Sequence, residues 1–188
     1  MQDAVPVGVG AMAAILGLNF ATVQSLDLEA HAAGICQAAN DNDPSQVVIS
    51  GEKTAVELAI ELAKNSGAKR AIMLPVSAPF HCELMAPAAE KMRVELEGIK
   101  IEPPIVPVVS NVSAQAMSDP TEIKKLLVSQ VTGSVRWRES IIWMVKNNVD
   151  EIWEIGSGKA LSGMIRRIDK NISLMNISSP EDVRTVKF

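Results

Sequence analysis

An α/β fold is predicted for this chain by three features of its sequence. Continuous apolar runs suited to buried strands alternate with stretches whose apolar residues fall three and four apart, as in helices. Through residue 76 these segments follow the order β-α-β-β-α-β, that of a ferredoxin-like split unit. From residue 83 onward helices and strands alternate, the pattern of a parallel sheet with crossover helices.

Gly10 to Leu18 (GAMAAILGL) is small and apolar throughout and predicts a buried strand. Phe20 to Ala33 predicts a helix, with Val23, Leu26 and Ala30 on one face. Ile35 to Asn40 and Gln46 to Ser50 predict two short strands joined by the turn-forming run Asp41-Asn42-Asp43-Pro44-Ser45. Glu52 to Asn65 carries a helical stripe of Val56, Leu58, Ala59, Leu62 and Ala63, with Gly67 placed as a C-terminal cap. Lys69 to Val76 predicts another strand, and Glu83 to Gly98 a helix with Leu84, Met85, Ala88, Met92 and Leu96 inward. Ile105 to Ser110 predicts a buried strand. Two helices are expected over Pro120 to Val131, opened by Asp119, and over Val135 to Asn147. Glu151 to Ile155, Ala160 to Ile168, Ser173 to Ile177 and a helix from Pro180 complete the alternation. The second part offers only about three strands and the chain opens directly on strand-leading sequence, so it is expected to be the rear portion of something larger.

Composition bounds the function. At 188 residues and 47% hydrophobic, the chain can bury a substantial core. Its net charge is −4 and no long basic run occurs, so no nucleic-acid partner is expected. No apolar stretch is long enough to span a bilayer, so no membrane partner is expected. The first residues lack the basic start and apolar core of a secretory signal. Two cysteines, Cys36 and Cys82, are too few for a disulfide framework or a zinc site, so a reduced cytoplasmic setting and no metal are expected.

The candidate centre is His81, in Leu74-Pro75-Val76-Ser77-Ala78-Pro79-Phe80-His81-Cys82-Glu83-Leu84-Met85. The run predicts the end of a buried strand, a loop stiffened by Pro75 and Pro79, and a histidine at the start of an amphipathic helix. α/β proteins place chemistry just past strand ends, and an imidazole there can take and return a proton near neutral pH. Cys82 cannot serve as its nucleophile, since adjacent side chains on a helix diverge. Cys82 is expected to be a small buried thiol, and His31 a solvated surface residue. Gly156-Ser157-Gly158-Lys159 is no phosphate loop, because Ala160 stands where Ser or Thr is required; it predicts a strand-to-helix turn. Gly8-Val9-Gly10 precedes a strand and fails as a dinucleotide fingerprint. Asn40 to Pro44 would form a polar loop, explicable by turn chemistry or as a substrate contact. Arg136-Trp137-Arg138-Glu139 could be an anion patch or an ordinary helix start.

These motifs resemble a known family. Met1-Gln2-Asp3-Ala4-Val5-Pro6, Gln46-Val47-Val48-Ile49-Ser50-Gly51, the Pro75 to Met85 run, Val135-Arg136-Trp137 and Glu154-Ile155-Gly156-Ser157-Gly158-Lys159-Ala160-Leu161-Ser162-Gly163 are similar to the malonyl-CoA:acyl-carrier-protein transacylases of bacterial type II fatty-acid synthesis. The resemblance runs end to end. It implies a ferredoxin-like small subdomain over 8–76 and, over 77–188, the rear part of a hydrolase-like parallel-sheet subdomain. It implies malonyl transfer from malonyl-CoA to the phosphopantetheine thiol of acyl carrier protein, through an acyl-serine, with no cofactor beyond the coenzyme A thioester. By the same resemblance His81 is the catalytic base, oriented by a backbone carbonyl in Ser134 to Trp137, placed at Arg136. Phe80, Asn42 and Gln46 would contact substrate, Phe80 by leaving no room for an α-methyl group. The family's serine elbow, G-x-S-x-G, occurs nowhere in the 188 residues, and neither do its opening glutamine-rich strand and its malonyl-gripping arginine. The isolated chain is therefore expected to be inactive, and to expose apolar surface where the absent strands pack. Two rival readings are a non-catalytic carrier-protein or ligand-binding module, and a thioester hydrolase using Cys82.

Overall fold

Residues 4–76 and 78–186 are described by the computed structural model. Met1, Gln2 and Asp3 of the opening motif and Ser77 of the histidine loop lie outside the described residues, as do the last two positions of the expected 77–188 span. Two compact units divide the chain, Met1–Ser140 and Ile141–Phe188.

The first unit is built on a four-stranded antiparallel sheet, ordered β2-β3-β1-β4. Its strands are β1 (Gly10–Leu16), β2 (Cys36–Asp43), β3 (Gln46–Glu52) and β4 (Arg70–Met73). β1 is central because its small and branched residues allow burial on both faces. Ala11, Ala13 and Ile15 pack with Val23, Leu26 and Ala30 of α1 (Phe20–Ala30) and with Val56, Ala59 and Ala63 of α2 (Lys53–Asn65). The alternate residues Met12 and Ala14 join Ala39, Val48 and the ring of Phe80 on the other face. This is the ferredoxin-like arrangement that the element order predicts. It turns one face of the sheet toward the histidine loop.

Several boundaries differ from expectation. α1 is opened by Asn19, whose side chain accepts from Thr22 N–H at 2.9 Å. It ends at Ala30, and a short 3-10 turn over His31–Ala33 replaces its expected last turn. The run Asp41 to Asp43 is strand, not turn, so β2 reaches Asp43 and only Pro44 and Ser45 connect it to β3. The reason is that both buried acidic side chains find partners: Asp41 pairs with Arg138, and Asp43 accepts from Ser45 N–H and Oγ–H. β4 stops at Met73, because Pro75 has no N–H to continue the ladder.

Beyond the sheet, a 3-10 turn over Glu83–Met85 leads into α3 (Ala86–Glu97), so the expected helix starts three residues late, with a proline in its first turn. The run Ile105 to Ser110 is not a buried strand. Only Val108–Val109 (β5) pairs, with Ala116–Met117 (β6), and Ile105 and Val106 are exposed. Pro103, Pro104 and Pro107 remove the donors a longer ladder needs. α4 (Pro120–Thr132) is capped by Asp119, which accepts from Thr121 N–H at 2.9 Å. α5 spans Trp137–Lys146.

In the second unit β7 (Glu151–Ile155) and β8 (Ser173–Ile177) run parallel, connected through α6 (Ala160–Ile168). Glu154 on β7 accepts from the N–H groups of Leu161 and Ser162, at 3.1 and 2.8 Å, satisfying the opening turn of α6. The Ser162 hydroxyl, which also donates to Glu154, and then those N–H bonds hold its carboxyl below the usual carboxylate range. Ser179 and Asp182 form a capping box at α7 (Pro180–Thr185). Gly156, at φ +144°, makes the strand-to-helix turn expected there; a side chain would meet nothing, so conformation and not close packing demands glycine.

Candidate functional site

His81 is not on a helix. It occupies a left-handed turn, φ +61°, between Pro79 and the 3-10 turn at Glu83. Histidine tolerates this conformation better than most residues, but it costs energy that the surroundings must supply. Three contacts fix the loop. Pro79 lies so close over β1 that a methyl group on Gly10 would sit 2.4 Å from its ring carbons. The N–H of Glu83 donates to Gln37 Oε1 on β2 at 2.7 Å. Cys82, fully buried, donates its thiol proton to Pro79 O.

The imidazole is half-buried, and its Nδ1 lies 2.9 Å from the main-chain carbonyl of Gln130, in the last turn of α4. A carbonyl can only accept, so Nδ1 carries the proton and Nε2 keeps its lone pair. Nε2 has no partner among the described residues. The geometry is that of an oriented base with its working nitrogen unengaged. The Gln130 side chain is held in turn, accepting from Asn111 Nδ2 at 3.0 Å. An open, largely apolar cleft of about 210 Å³ adjoins this part of α4, lined by Val109, Asn111, Leu126 and Gln130 among others.

The other expected site residues are placed differently. The orienting carbonyl is Gln130's, and Arg136 is corrected: its own carbonyl accepts from Ser140 N–H and Oγ–H, both at 2.9 Å. The register of the α4 terminus decides this, and a main-chain acceptor leaves no mark in the sequence. The Arg136 guanidinium is engaged by Glu139 and by the carbonyls of Val112 and Ser113, which leaves no free anion patch. Phe80 is half-buried and packs into two apolar clusters, with Met85, Ala88 and Val131 on one side and Met12, Ala14 and Val48 on the other. Asn42 and Gln46 lie where β2 turns into β3. Leu16, the register partner of Gln46, packs in the same apolar cluster as Phe80.

The cysteines are inert. Burial pushes the Cys82 thiol up, and burial together with the Asp27 carboxylate pushes Cys36 up further. His31 is exposed but not without a partner, its Nε2 lying 2.7 Å from Cys36 O. Among the described residues no group of three or more His, Cys, Asp or Glu could hold a metal ion. No helix among them is long and apolar enough to cross a membrane.

No family model matches the chain. A malonyl CoA-acyl carrier protein transacylase of Bacillus subtilis is 47% identical over 184 residues, covering 97% of this chain and 58% of its own length. The chain is a homologue of the malonyl CoA-acyl carrier protein transacylases. The Escherichia coli K12 transacylase is 43% identical over 180 residues, with 96% and 58% covered. An acyl-carrier-protein S-malonyltransferase from Vibrio cholerae superposes with a TM-score of 0.96 at 41% identity, over 100% of this chain and 61% of that one. Another solved transacylase, in complex with a type II PKS acyl-carrier protein, gives 0.94 at 41% identity, with 98% and 60% covered. The chain thus spans about three-fifths of the length of the transacylases it matches. Their fold agrees with the two-part α/β architecture described above.

Proposed function

We propose that this chain supplies the proton-transfer half of a malonyl-CoA:acyl-carrier-protein transacylase, with His81 as its base. The observation that carries the reading is the Gln130 carbonyl on Nδ1, which commits Nε2 to proton transfer. A serine hydroxyl, held by a G-x-S-x-G elbow of the kind the resemblance implies, gives its proton to Nε2 and attacks the malonyl thioester carbon. The C–S bond breaks, and the coenzyme A thiolate leaves with the proton from Nε2–H. The phosphopantetheine thiol of acyl carrier protein then gives its proton to Nε2 and attacks the serine ester. The serine oxygen departs and recovers that proton. Both halves use one nitrogen in alternating protonation states and need no cofactor beyond the coenzyme A thioester.

Phe80 narrows the site on the acyl side, favouring malonyl over branched units. Asn42 at the end of β2 and Gln46 at the start of β3 contact the substrate. The small subdomain is taken as 8–76 and the larger one as 77–188, working in the cytoplasm.

The test adds a polypeptide carrying the serine elbow of a matched transacylase to this chain and follows malonyl transfer from malonyl-CoA to acyl carrier protein. Transfer is expected from the mixture and from neither piece alone. Full transfer by this chain alone would contradict the division of roles. A mixture that folds together but stays silent would contradict the assignment of activity.

A further inference from the structure

We propose that the buried ion pair between Asp41 and Arg138 is a positioning pair that sets the Gln130 carbonyl against His81 and so selects the working tautomer. The inference rests on His81 being the base, and it assigns a purpose to two residues that touch no reacting atom.

α4 ends at Thr132, and the chain after it lies along the edge of β2. Val135 N–H donates to Ala39 O at 2.8 Å, Asp41 N–H donates to Val135 O at 2.9 Å, and Ser134 Oγ donates to Ala38 O. This is a single parallel bridge, too short to fix the angle at which α4 leaves the sheet. The guanidinium of Arg138 completes the fixation. Its Nε reaches both carboxylate oxygens of Asp41, at 2.9 and 3.0 Å, and a terminal nitrogen reaches Oδ2 at 2.7 Å. The Asp41 side chain is 1% exposed and that of Arg138 28%. A planar fork on a carboxylate constrains orientation as well as distance, which a lysine cannot do.

The histidine loop is mounted on the same strand, through Glu83 N–H and Gln37. β2 therefore carries the anchors of both partners of the hydrogen bond, Gln37 at one end holding the histidine loop through Glu83 and Asp41 further along holding Arg138. A second set of bonds runs across the carbonyl side: Arg136 N–H donates to Asn111 O at 2.8 Å, and Asn111 holds the Gln130 amide. Release of Arg138 leaves the α4 terminus held by the short bridge, the Asn111 bonds and the packing of Val131, none of which fixes its angle to β2. The carbonyl then drifts from Nδ1, and the ring loses its reason to keep the proton there.

The experiment reads ring nitrogen shifts by NMR in the intact chain. Only two histidines are present, and the His81→Asn spectrum assigns them. The unaltered chain is expected to show His81 as the Nδ1–H tautomer alone. Arg138→Ala is expected to populate both tautomers, and Arg138→Lys to give an intermediate mixture. The double variant Asp41→Asn, Arg138→Gln leaves no buried charge and serves if Arg138→Ala does not fold; it is expected to behave like Arg138→Ala. A folded variant lacking the pair but keeping His81 wholly as Nδ1–H overturns the proposal. In the transferase assembled with its serine-bearing segment, Arg138→Lys should lower kcat by roughly tenfold to a hundredfold with KM unchanged. A tautomer shift with transfer undiminished overturns the role of His81 as base and leaves the positioning standing.

Discussion

His81→Ala is expected to lower malonyl transfer by the assembled enzyme at least a thousandfold, with KM for malonyl-CoA little changed. General acid-base catalysis by a placed imidazole contributes roughly 10² to 10⁴ in rate, and losing the base of a nucleophile-base unit costs more, because the parts act together. KM holds because Nε2 meets protons in transit and not the ground-state thioester. Alanine fits the left-handed turn at φ +61° poorly, so part of the loss could come from the loop. His81→Asn removes that ambiguity: asparagine accepts the same backbone conformation but is no base near neutral pH. Equal losses in the two variants, each with unaltered far-ultraviolet dichroism, support the account. Retention of a tenth of the rate by either would contradict it. This variant also separates the transferase from a non-catalytic binding module, whose function would survive the substitution.

Asp27→Asn is expected to stabilise the chain above pH 7 and to leave it unchanged below pH 4. Asp27 is 3% exposed on the inner face of α1. Its Oδ1 lies 3.7 Å from Cys36 Sγ, and its Oδ2 has no hydrogen-bond partner. Burial is the main cause that raises its carboxyl from 3.8 to about 7; the thiol and the nearby His31 oppose it. The folded chain therefore binds a proton that the unfolded chain has already lost between those two values. The stability that Asp27 contributes is fullest below about pH 4, falls as pH rises, and by pH 8 is lower by as much as about 4 kcal/mol. Asparagine is a near-isostere of the protonated acid and carries no such dependence. Urea unfolding at pH 4 and pH 8 checks this: midpoints should coincide at the lower pH and diverge at the higher. Coincidence at both would mean that Asp27 is ionised at little cost.

How much of this was legible in the sequence depended on which groups make each interaction. β1, α1 and α2 were readable because their apolar spacing directly encodes which face is buried. The same spacing put Asp27 on the inner stripe, four residues after Val23 and three before Ala30, yet only the structure shows its oxygen unpartnered. His81 was legible because a proline-stiffened loop after a strand is a local pattern. Its φ was not, since the left-handed turn is imposed by Pro79 on Gly10 and Gln37 on Glu83, both distant in sequence. Asp41 to Asp43 reads as a turn in the sequence because the partner that makes Asp41 acceptable in a strand, Arg138, is 97 positions away. Gln130 leaves no signal for a simpler reason: any residue there would offer the same carbonyl. The run Ile105 to Ser110 shows the converse error, where apolar composition signals burial but says nothing about which neighbour provides it.

The most direct measurement is the first turnover: coenzyme A released on mixing malonyl-CoA with the 188-residue chain joined to the serine-bearing segment, compared for the unaltered protein and for His81→Asn. The account predicts a rapid burst of one equivalent for the unaltered protein and none on the same timescale for the variant. A burst of equal rate in both would show that the serine loses its proton to some other group, and that the imidazole beside Gln130 is not the base.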